Sequence, residues 1–377
     1  MRSIITLFWL SAIPAFAQPF AIGTTEVEFF DPARNRDVPC VIHYPSSTAG
    51  SNVTVSDGSF PVLIHGHGFV MSVDAYTNLR DGLVPRGYIL VLPTTEGGFS
   101  PAHASFGADL AFLVGAMQAA GNDEGSLLLG HIAPTTALMG HSMGGGASFL
   151  GAAGNASIQA VVNFAAAETN PSAIAAAANV LVPTLVFAAS EDRVTPPETN
   201  QLPMYAAIEA PCKAYVSVDG GGHCYFGANS FTCTLGESVL GADFSISREE
   251  QHDIVNDLAG LWLDHFLRDD QAAWNAFSDS LQFSTRITGE HTCLTTALIP
   301  APSELMTVAP LPALDVLRLS GIEGSLAIRI HDLRGKLVLQ TMTMDGTVDV
   351  LDLPNGAYVL EATAGSVTRR VPFTVQR

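Results

Sequence analysis

The sequence is poor in positive charge, with 17 Lys and Arg residues against 36 Asp and Glu residues in a chain of 377. Residues 304–377 are nearly balanced, with seven basic and eight acidic residues, so the preceding part carries a net charge of −18. A nucleic acid is not an expected partner, because phosphate contacts need Lys and Arg. The same acidic excess should disfavour anionic substrates, so we expect a neutral or apolar one.

Cysteine is also scarce, and long apolar runs are missing. None of the five cysteines lies in a Cys-x-x-Cys pair, which argues against a zinc site. No internal apolar run reaches the roughly 18 residues that would cross a membrane. Cys40 lies in a strand-like run and is the best candidate for a buried free thiol. The other four allow three disulfide pairings, among which the sequence does not choose: Cys212, Cys224, Cys233 and Cys293.

The N-terminal residues have the features of a signal peptide. Arg2 supplies the positive start, residues 4–10 are apolar, and Ala15-Phe16-Ala17 fits a small-residue cleavage site. We therefore predict a signal peptide over residues 1–17 and a secreted protein, extracellular or attached to the cell surface. An N-terminal membrane anchor is the less favoured alternative, because the apolar run is short.

The mature chain divides into two parts that differ in their pattern of apolar residues. Residues 18–297 alternate short apolar runs with helical segments, which predicts a mostly parallel sheet with helices on both faces. Residues 298–313 contain four prolines and are predicted to be a linker, and residues 314–377 read as a small all-β domain. Seven strands are predicted in the first part, at residues 41–44, 61–65, 88–92, 137–140, 160–164, 183–188 and 214–218. The strand at 214–218 is predicted to be the last one. The predicted helices cover residues 76–84, 106–120 and 249–266.

The segment Gly140-His141-Ser142-Met143-Gly144 matches the pattern Gly-x-Ser-x-Gly. In an α/β-hydrolase fold, this pattern holds a nucleophilic serine on a sharp turn between a strand and a helix. The context agrees, because a buried strand is predicted before it and a small-residue helix after it. We therefore predict an α/β-hydrolase fold with Ser142 as the nucleophile. The alternative is a glycine-rich turn with an incidental serine.

A serine hydroxyl needs a histidine base, and the histidine needs a carboxylate to orient it. In this fold the chain order is serine, acid, histidine. The strand at 183–188 leads into Asp192, which we prefer as the acid over Glu191 and, more distantly, Glu168. The strand at 214–218 leads into a glycine-rich loop that ends at His223, the predicted base.

The oxyanion hole needs two backbone N–H groups. Met143 follows the nucleophile, and Phe69 lies in the loop after the strand at 61–65, so these two are the predicted donors. Phe69, Met143 and His141 are also the predicted substrate-binding residues. His65 and His67 could suggest metal ligands, but no third ligand lies at a fitting spacing, so no metal or cofactor is expected.

Residues 140–146 resemble the nucleophile segment of bacterial cutinases and polyester hydrolases, including those that cleave poly(ethylene terephthalate). The segment 182–185 with Asp192, the segment 202–205, and the turn 220–223 are similar to other segments of that family. The resemblance covers roughly residues 38–290. It implies Ser142, Asp192 and His223 as the triad, with Phe69 lining the acyl subsite.

The chain departs from this family in one loop. The family commonly has a tryptophan after the strand that corresponds to 160–164, whereas residues 167–171 here contain no aromatic residue. This departure predicts esterase activity in preference to activity on aromatic polyesters. Only a short stretch separates the strands at 160–164 and 183–188, so we expect no lid and an open cleft that could admit a polymer.

The C-terminal part has a resemblance of its own. Residues 330–338 and 353–360 resemble the C-terminal sorting domain of type IX secretion cargo. This implies passage through the periplasm with the secretion machinery as a partner. The alternative is a β-sandwich that binds carbohydrate or the polymer surface.

The combined hypothesis is a secreted, monomeric serine hydrolase of polyesters or cutin-like esters that acts through an acyl-enzyme. A second hypothesis changes the substrate to small esters, triglycerides or peptides. A third, less favoured hypothesis is a non-catalytic surface adhesin with a degenerate hydrolase domain.

Overall fold

The computed structural model describes residues 19–241, 243–293, 307–309, 313–320, 326–332, 336–364 and 367–376. The chain divides into two compact units, Met1–Leu294 and Thr295–Arg377. The predicted signal peptide, residues 1–17, lies outside the described residues, as does most of the predicted linker. Within the described ranges, no helix is both long and apolar enough to cross a membrane.

A ten-stranded sheet forms the centre of the first unit. Its strands are β1 (Ala21–Asp31), β2 (Arg36–Ser46), β3 (Gly50–Ser51), β4 (Phe60–Gly66), β5 (Ile89–Pro93), β6 (Ile132–His141), β7 (Ala160–Phe164), β8 (Thr184–Ala189), β9 (Cys212–Val218) and β10 (Ile287–Cys293). Their order is β10-β9-β8-β7-β6-β4-β5-β2-β1-β3, and the six strands from β9 to β5 run parallel. Antiparallel β2 and β1 extend one side, and antiparallel β10 closes the other.

Helices cover both faces of this sheet, so the α/β-hydrolase prediction is confirmed. The helices are α1 (Thr77–Leu83), α2 (His103–Ala120), α3 (Met143–Ala152), α4 (Ala173–Ala177), α5 (Gln201–Ala207), α6 (Phe231–Val239), α7 (Arg248–Arg268) and α8 (Gln271–Phe283). Alternate strand residues point to opposite faces: in β6, Leu138 joins the apolar cluster under α2 and α3, while Ala137 and Met139 join the cluster under α1, α7 and α8.

The prediction that residues 214–218 form the last strand was wrong. After α7 the chain continues through α8 into β10, which pairs antiparallel with β9 from Ile287 opposite Val218 to Cys293 opposite Cys212. This strand has the sequence ITGEHTC and is mostly exposed. As an edge strand it has no continuous apolar run, which is why its sequence signal is weak.

Two disulfides resolve the open pairing. Cys212 bonds to Cys293, joining β9 to β10, and Cys224 bonds to Cys233, joining the segment after His223 to α6. Cys40 is free and buried, as predicted. Its burial raises the pKa of the thiol, so it stays protonated.

The described residues of the second unit form only β-strands, as predicted. These strands are β11 (Thr307–Ala309), β12 (Val316–Ser320), β13 (Leu326–Asp332), β14 (Leu337–Thr343), β15 (Thr347–Asp349), β16 (Gly356–Ala364) and β17 (Val367–Val375). They form an antiparallel three-stranded sheet, β11-β12-β15, and an antiparallel four-stranded sheet, β14-β13-β16-β17. Strand β11 lies inside the range 298–313 predicted as a linker, so the β-structure begins before residue 314.

Candidate active site

Ser142 lies on the sharp turn between β6 and α3. Its backbone has φ 55° and ψ −121°, a conformation that non-glycine residues rarely adopt. The turn is held by neighbouring backbone, since the Ser142 N–H donates to the Phe164 carbonyl at 3.0 Å and the Ala167 N–H donates to the Ser142 carbonyl at 2.9 Å. Such a strained, over-determined turn is the expected setting for a nucleophilic serine.

The flanking glycines are required by close backbone approach. A Cβ at Gly140 would collide with the carbonyl group of Gly144. A Cβ at Gly144 would in turn collide with the carbonyl group of Gly66, at the end of β4. Helix α3 therefore packs directly on the strands beside it, which brings the turn at Ser142 next to the loop that follows β4.

Asp192 and His223 form a buried pair. They follow β8 and β9, whose carboxyl ends lie at the same edge of the parallel sheet as the end of β6 before Ser142. The His223 Nδ1 to Asp192 Oδ2 distance is 2.8 Å, and both side chains are almost inaccessible to solvent. The carboxylate is also positioned by two amides, because Asp192 Oδ1 accepts the N–H groups of Val194 and Thr195 at 2.8 and 2.7 Å.

Thr195, which was not predicted from the sequence, contacts both members of this pair. Its hydroxyl lies 2.8 Å from Asp192 Oδ2 and 3.0 Å from His223 Nδ1, and it accepts a hydrogen bond from Gln201 Nε2 at 3.1 Å. Gln201 is itself buried and donates to the Ala166 carbonyl at 2.6 Å. The only local signal was a threonine three residues after an aspartate, a common turn pattern that does not indicate a role in a site.

The alternative acids occupy other positions. Glu191 donates its backbone N–H to the Gly221 carbonyl, and Glu168 accepts the Ile174 N–H at Oε2. Among the described contacts, neither carboxylate bonds to His223. Of the candidates considered from the sequence, the structure therefore brings only Asp192 together with the histidine.

His141 lies beneath the site, in a directed chain of hydrogen bonds. The Gly68 N–H donates to the Tyr76 hydroxyl at 2.7 Å, that hydroxyl lies 3.1 Å from His141 Nδ1, and His141 Nε2 lies 3.1 Å from the His223 carbonyl. Burial, followed by the neighbouring His223 and His65, holds the pKa of His141 well below its ordinary value. A neutral ring that accepts at Nδ1 and donates at Nε2 satisfies this chain.

The prediction that His141 binds substrate does not fit this position. Its side chain is fully buried, and both ring nitrogens are taken up by Tyr76 and by the His223 carbonyl. His141 instead connects the loop at Gly68 with the backbone of His223. Its effect on the site is therefore to position two other segments.

The two predicted oxyanion donors, Phe69 and Met143, line the same cleft as Ser142. Met143 is the first residue of α3, so its N–H has no acceptor within the helix. Phe69 lies in the loop after β4, which is held by the Gly68–Tyr76 hydrogen bond and by a turn from the Met71 N–H to the Gly68 carbonyl at 3.1 Å. The Phe69 side chain is 47% exposed and contacts Phe99 edge to face.

Ser142 lines an open cleft of about 410 Å³. Its apolar lining includes Phe69, Pro101, Met143, Ala167 and Val194. Its polar lining consists of His103, Ser142, Glu168, Thr169 and Thr195. The volume suits a small organic group. Only the five-residue helix α4 lies between β7 and β8, so this part of the chain contains no long insertion to cover the cleft.

His65 and His67 do not converge on a common point with a third ligand. His65 is fully buried against Tyr76 and Phe164, and burial lowers its pKa to about 3. The His67 ring nitrogens lie 2.9 Å from the Gly68 carbonyl and 2.8 Å from the Thr95 carbonyl. Within the described ranges, no group of three His, Cys, Asp or Glu side chains could hold a metal ion.

Comparison with known proteins gives two family matches and one curated relative. A family model described as PET hydrolase-like matches residues 11–241, more than half of the chain. A model described as a secretion system C-terminal sorting domain matches residues 307–372. The chain is also similar to a bis(hydroxyethyl) terephthalate hydrolase of Streptomyces coelicolor, with 26% identity over 265 residues, 69% of this chain and 71% of that protein.

Proposed function

The chain belongs to the PET hydrolase-like family, as its sequence resemblance predicted, and on this premise we propose that it is a secreted serine hydrolase of polyesters. Membership of the family by itself supports ester hydrolysis. The serine mechanism is what we propose in addition. The observation that carries this step is the buried Asp192–His223 hydrogen bond of 2.8 Å, at the same sheet edge as the strained turn of Ser142.

The proposed reaction proceeds through an acyl-enzyme. Ser142 Oγ attacks the ester carbonyl while His223 Nε2 takes its proton, and Asp192 holds the imidazole and stabilises its positive charge. The oxyanion is stabilised by the N–H groups of Phe69 and Met143. His223 then protonates the departing alcohol oxygen. A water molecule, deprotonated by His223, cleaves the acyl-enzyme to release the acid and restore Ser142.

The open, mostly apolar cleft supports a polyester or cutin-like ester as substrate. The curated relative is named for the hydrolysis of bis(hydroxyethyl) terephthalate, which supports an aromatic diester as one substrate of this chain. The loop at 167–171 lacks the family tryptophan and instead lines the cleft with Ala167, Glu168 and Thr169. That departure favours a small-ester esterase as the second candidate.

The C-terminal sorting domain indicates secretion, to an extracellular or cell-surface location. We further propose that residues 1–17 direct the chain across the inner membrane, and that the β-rich unit then engages the type IX secretion machinery. An extracellular or cell-surface location is compatible with a polymeric substrate, because a polymer chain cannot enter the cell.

The experiment is product release from an amorphous polyester film by the wild type and by Ser142→Ala. Release by the wild type alone supports both the substrate and the nucleophile. Rapid cleavage of short p-nitrophenyl esters without release from the film favours the small-ester candidate. Turnover that survives in Ser142→Ala, in a preparation free of host esterase, refutes the serine mechanism, provided that circular dichroism shows an unchanged fold.

A further inference from the structure

The cleft beside Ser142 contains the residues that would bind the ester carbonyl in the proposed reaction. Ser142 and both proposed oxyanion residues, Phe69 and Met143, line it, whereas His223 is not among the described residues that do. The leaving oxygen must lie next to His223, because that residue protonates it. Because the carbonyl carbon belongs to the acyl part of the ester, we place the acyl chain in the cleft that the oxyanion residues line.

Glu168 brings a carboxylate to the wall of this otherwise mostly apolar cleft. Its backbone N–H donates to Asn200 Oδ1 at 2.9 Å, and its Oε2 accepts the Ile174 N–H at 2.9 Å. Oε1 takes no hydrogen bond from the described residues, and the residue is exposed. The side chain is thus held at one oxygen, with the other left available to a ligand.

His103 is the second polar group of the cleft with no part in the proposed mechanism. It begins helix α2, and its Nδ1 accepts the Asn170 N–H at 3.2 Å, which joins the two walls of the cleft. With Nδ1 as acceptor, the proton of the neutral ring lies on Nε2, which can donate. A carboxylate acceptor and an imidazole donor in one cleft match a hydroxyl group, which both donates and accepts.

We propose that Glu168 and His103 form a polar subsite for the remote end of the acyl chain, selecting hydroxyl-bearing or cationic ends and rejecting carboxylate ends. This rests on the proposed ester hydrolysis. No Lys or Arg side chain is found among the described cleft residues to offset Glu168. At a separation of about 8 Å and an effective dielectric of about 40, one carboxylate changes the binding of a second by about fivefold.

The test uses p-nitrophenyl esters of six-carbon acyl chains that end in methyl, hydroxyl, ammonium or carboxylate. For the wild type, kcat/KM should be lowest for the carboxylate end. Glu168→Gln should raise the carboxylate-to-hydroxyl ratio of kcat/KM about fivefold and lower the ammonium-to-hydroxyl ratio, with both shifts smaller at high ionic strength. His103→Leu should lower the hydroxyl-to-methyl ratio about threefold, the size of one neutral hydrogen bond.

Glu124→Gln is the matched control. Glu124 is exposed in the turn between α2 and β6, at the opposite edge of the sheet. The substitution therefore removes the same charge as Glu168→Gln, but far from the cleft. The end-group ratios of kcat/KM for Glu124→Gln should stay within about twofold of the wild-type ratios, because a charge at such a distance is screened. Equal shifts in both glutamate variants, or no shift in Glu168→Gln, would overturn the subsite. A wild type that cleaves p-nitrophenyl butyrate but shows no end-group preference would also overturn it, whereas failure to cleave any ester would refute the proposed function itself.

Discussion

Thr195 should position the Asp192–His223 pair through its hydroxyl. Thr195→Val keeps the branched shape and removes the oxygen that lies 2.8 Å from Asp192 Oδ2 and 3.0 Å from His223 Nδ1. Asp192 retains the two amide hydrogen bonds at Oδ1. Gln201 Nε2 retains the Ala166 carbonyl as acceptor. The substitution therefore removes the hydroxyl's hydrogen bond to the charged Asp192 and its contact with the Ala165 carbonyl at 3.2 Å, while Asp192 and Gln201 keep other partners.

The expected loss of kcat in Thr195→Val follows from the lost hydrogen bond to Asp192. A hydrogen bond to a charged group contributes about 1.5–3 kcal/mol, and each 1.36 kcal/mol in the barrier is about tenfold in rate. If between half and all of this contribution is lost in the transition state, kcat should fall by about fourfold to about 160-fold. KM should change less than about threefold, because the lost hydroxyl bonds to the catalytic pair, and this split distinguishes lost positioning from lost binding. The free energy of unfolding should fall by about 1–3 kcal/mol.

The assay is steady-state hydrolysis of p-nitrophenyl butyrate, with urea unfolding of the same samples. Thr195→Ser keeps the oxygen and should recover most of the lost kcat. Thr199→Val is the matched control, because that hydroxyl lies on the same loop, is exposed, and contacts only the Pro196 carbonyl and Asn200 among the described residues. Wild-type kcat in Thr195→Val, or an equal loss in Thr195→Ser, would refute the reasoning.

Two further predictions concern stability. Burial lowers the pKa of His65 to about 3 and of His43 to about 4. The unfolded chain binds these protons near pH 6.5, so the free energy of unfolding should fall as the pH drops below about 6.5, by about 2 kcal/mol per histidine at pH 5. His65→Leu should remove one histidine's share, and an unchanged pH slope in urea titrations would contradict this. The disulfides close loops of different length, with sequence separations of 81 for Cys212–Cys293 and 9 for Cys224–Cys233. Replacing both cysteines by serine should cost about 4.5 kcal/mol in the first pair and about 2.6 kcal/mol in the second, on the loop-entropy account. Equal losses in denaturant unfolding would count against that account.

The sequence predicted the central strands well and the edge strands poorly. Each of the six parallel strands, β4 to β9, overlaps a strand predicted from a short apolar run, because these strands are buried on both faces. Strands β1 and β10 lie toward the sides of the sheet and mix polar with apolar residues. Their conformation depends on the neighbour with which they pair, so a local pattern does not reveal it.

The sequence by itself determined the fold class, the turn that carries Ser142 and the loops that deliver Asp192 and His223. Each of these follows from a local pattern: an apolar period, a glycine spacing, or a residue placed just after a strand. Only the tertiary structure decided the disulfide pairing, the contact of Thr195 with Asp192 and His223, the buried position of His141, and the presence of His103 and Glu168 in one cleft. These depend on distances between segments that are far apart in the chain, and such distances are set by packing.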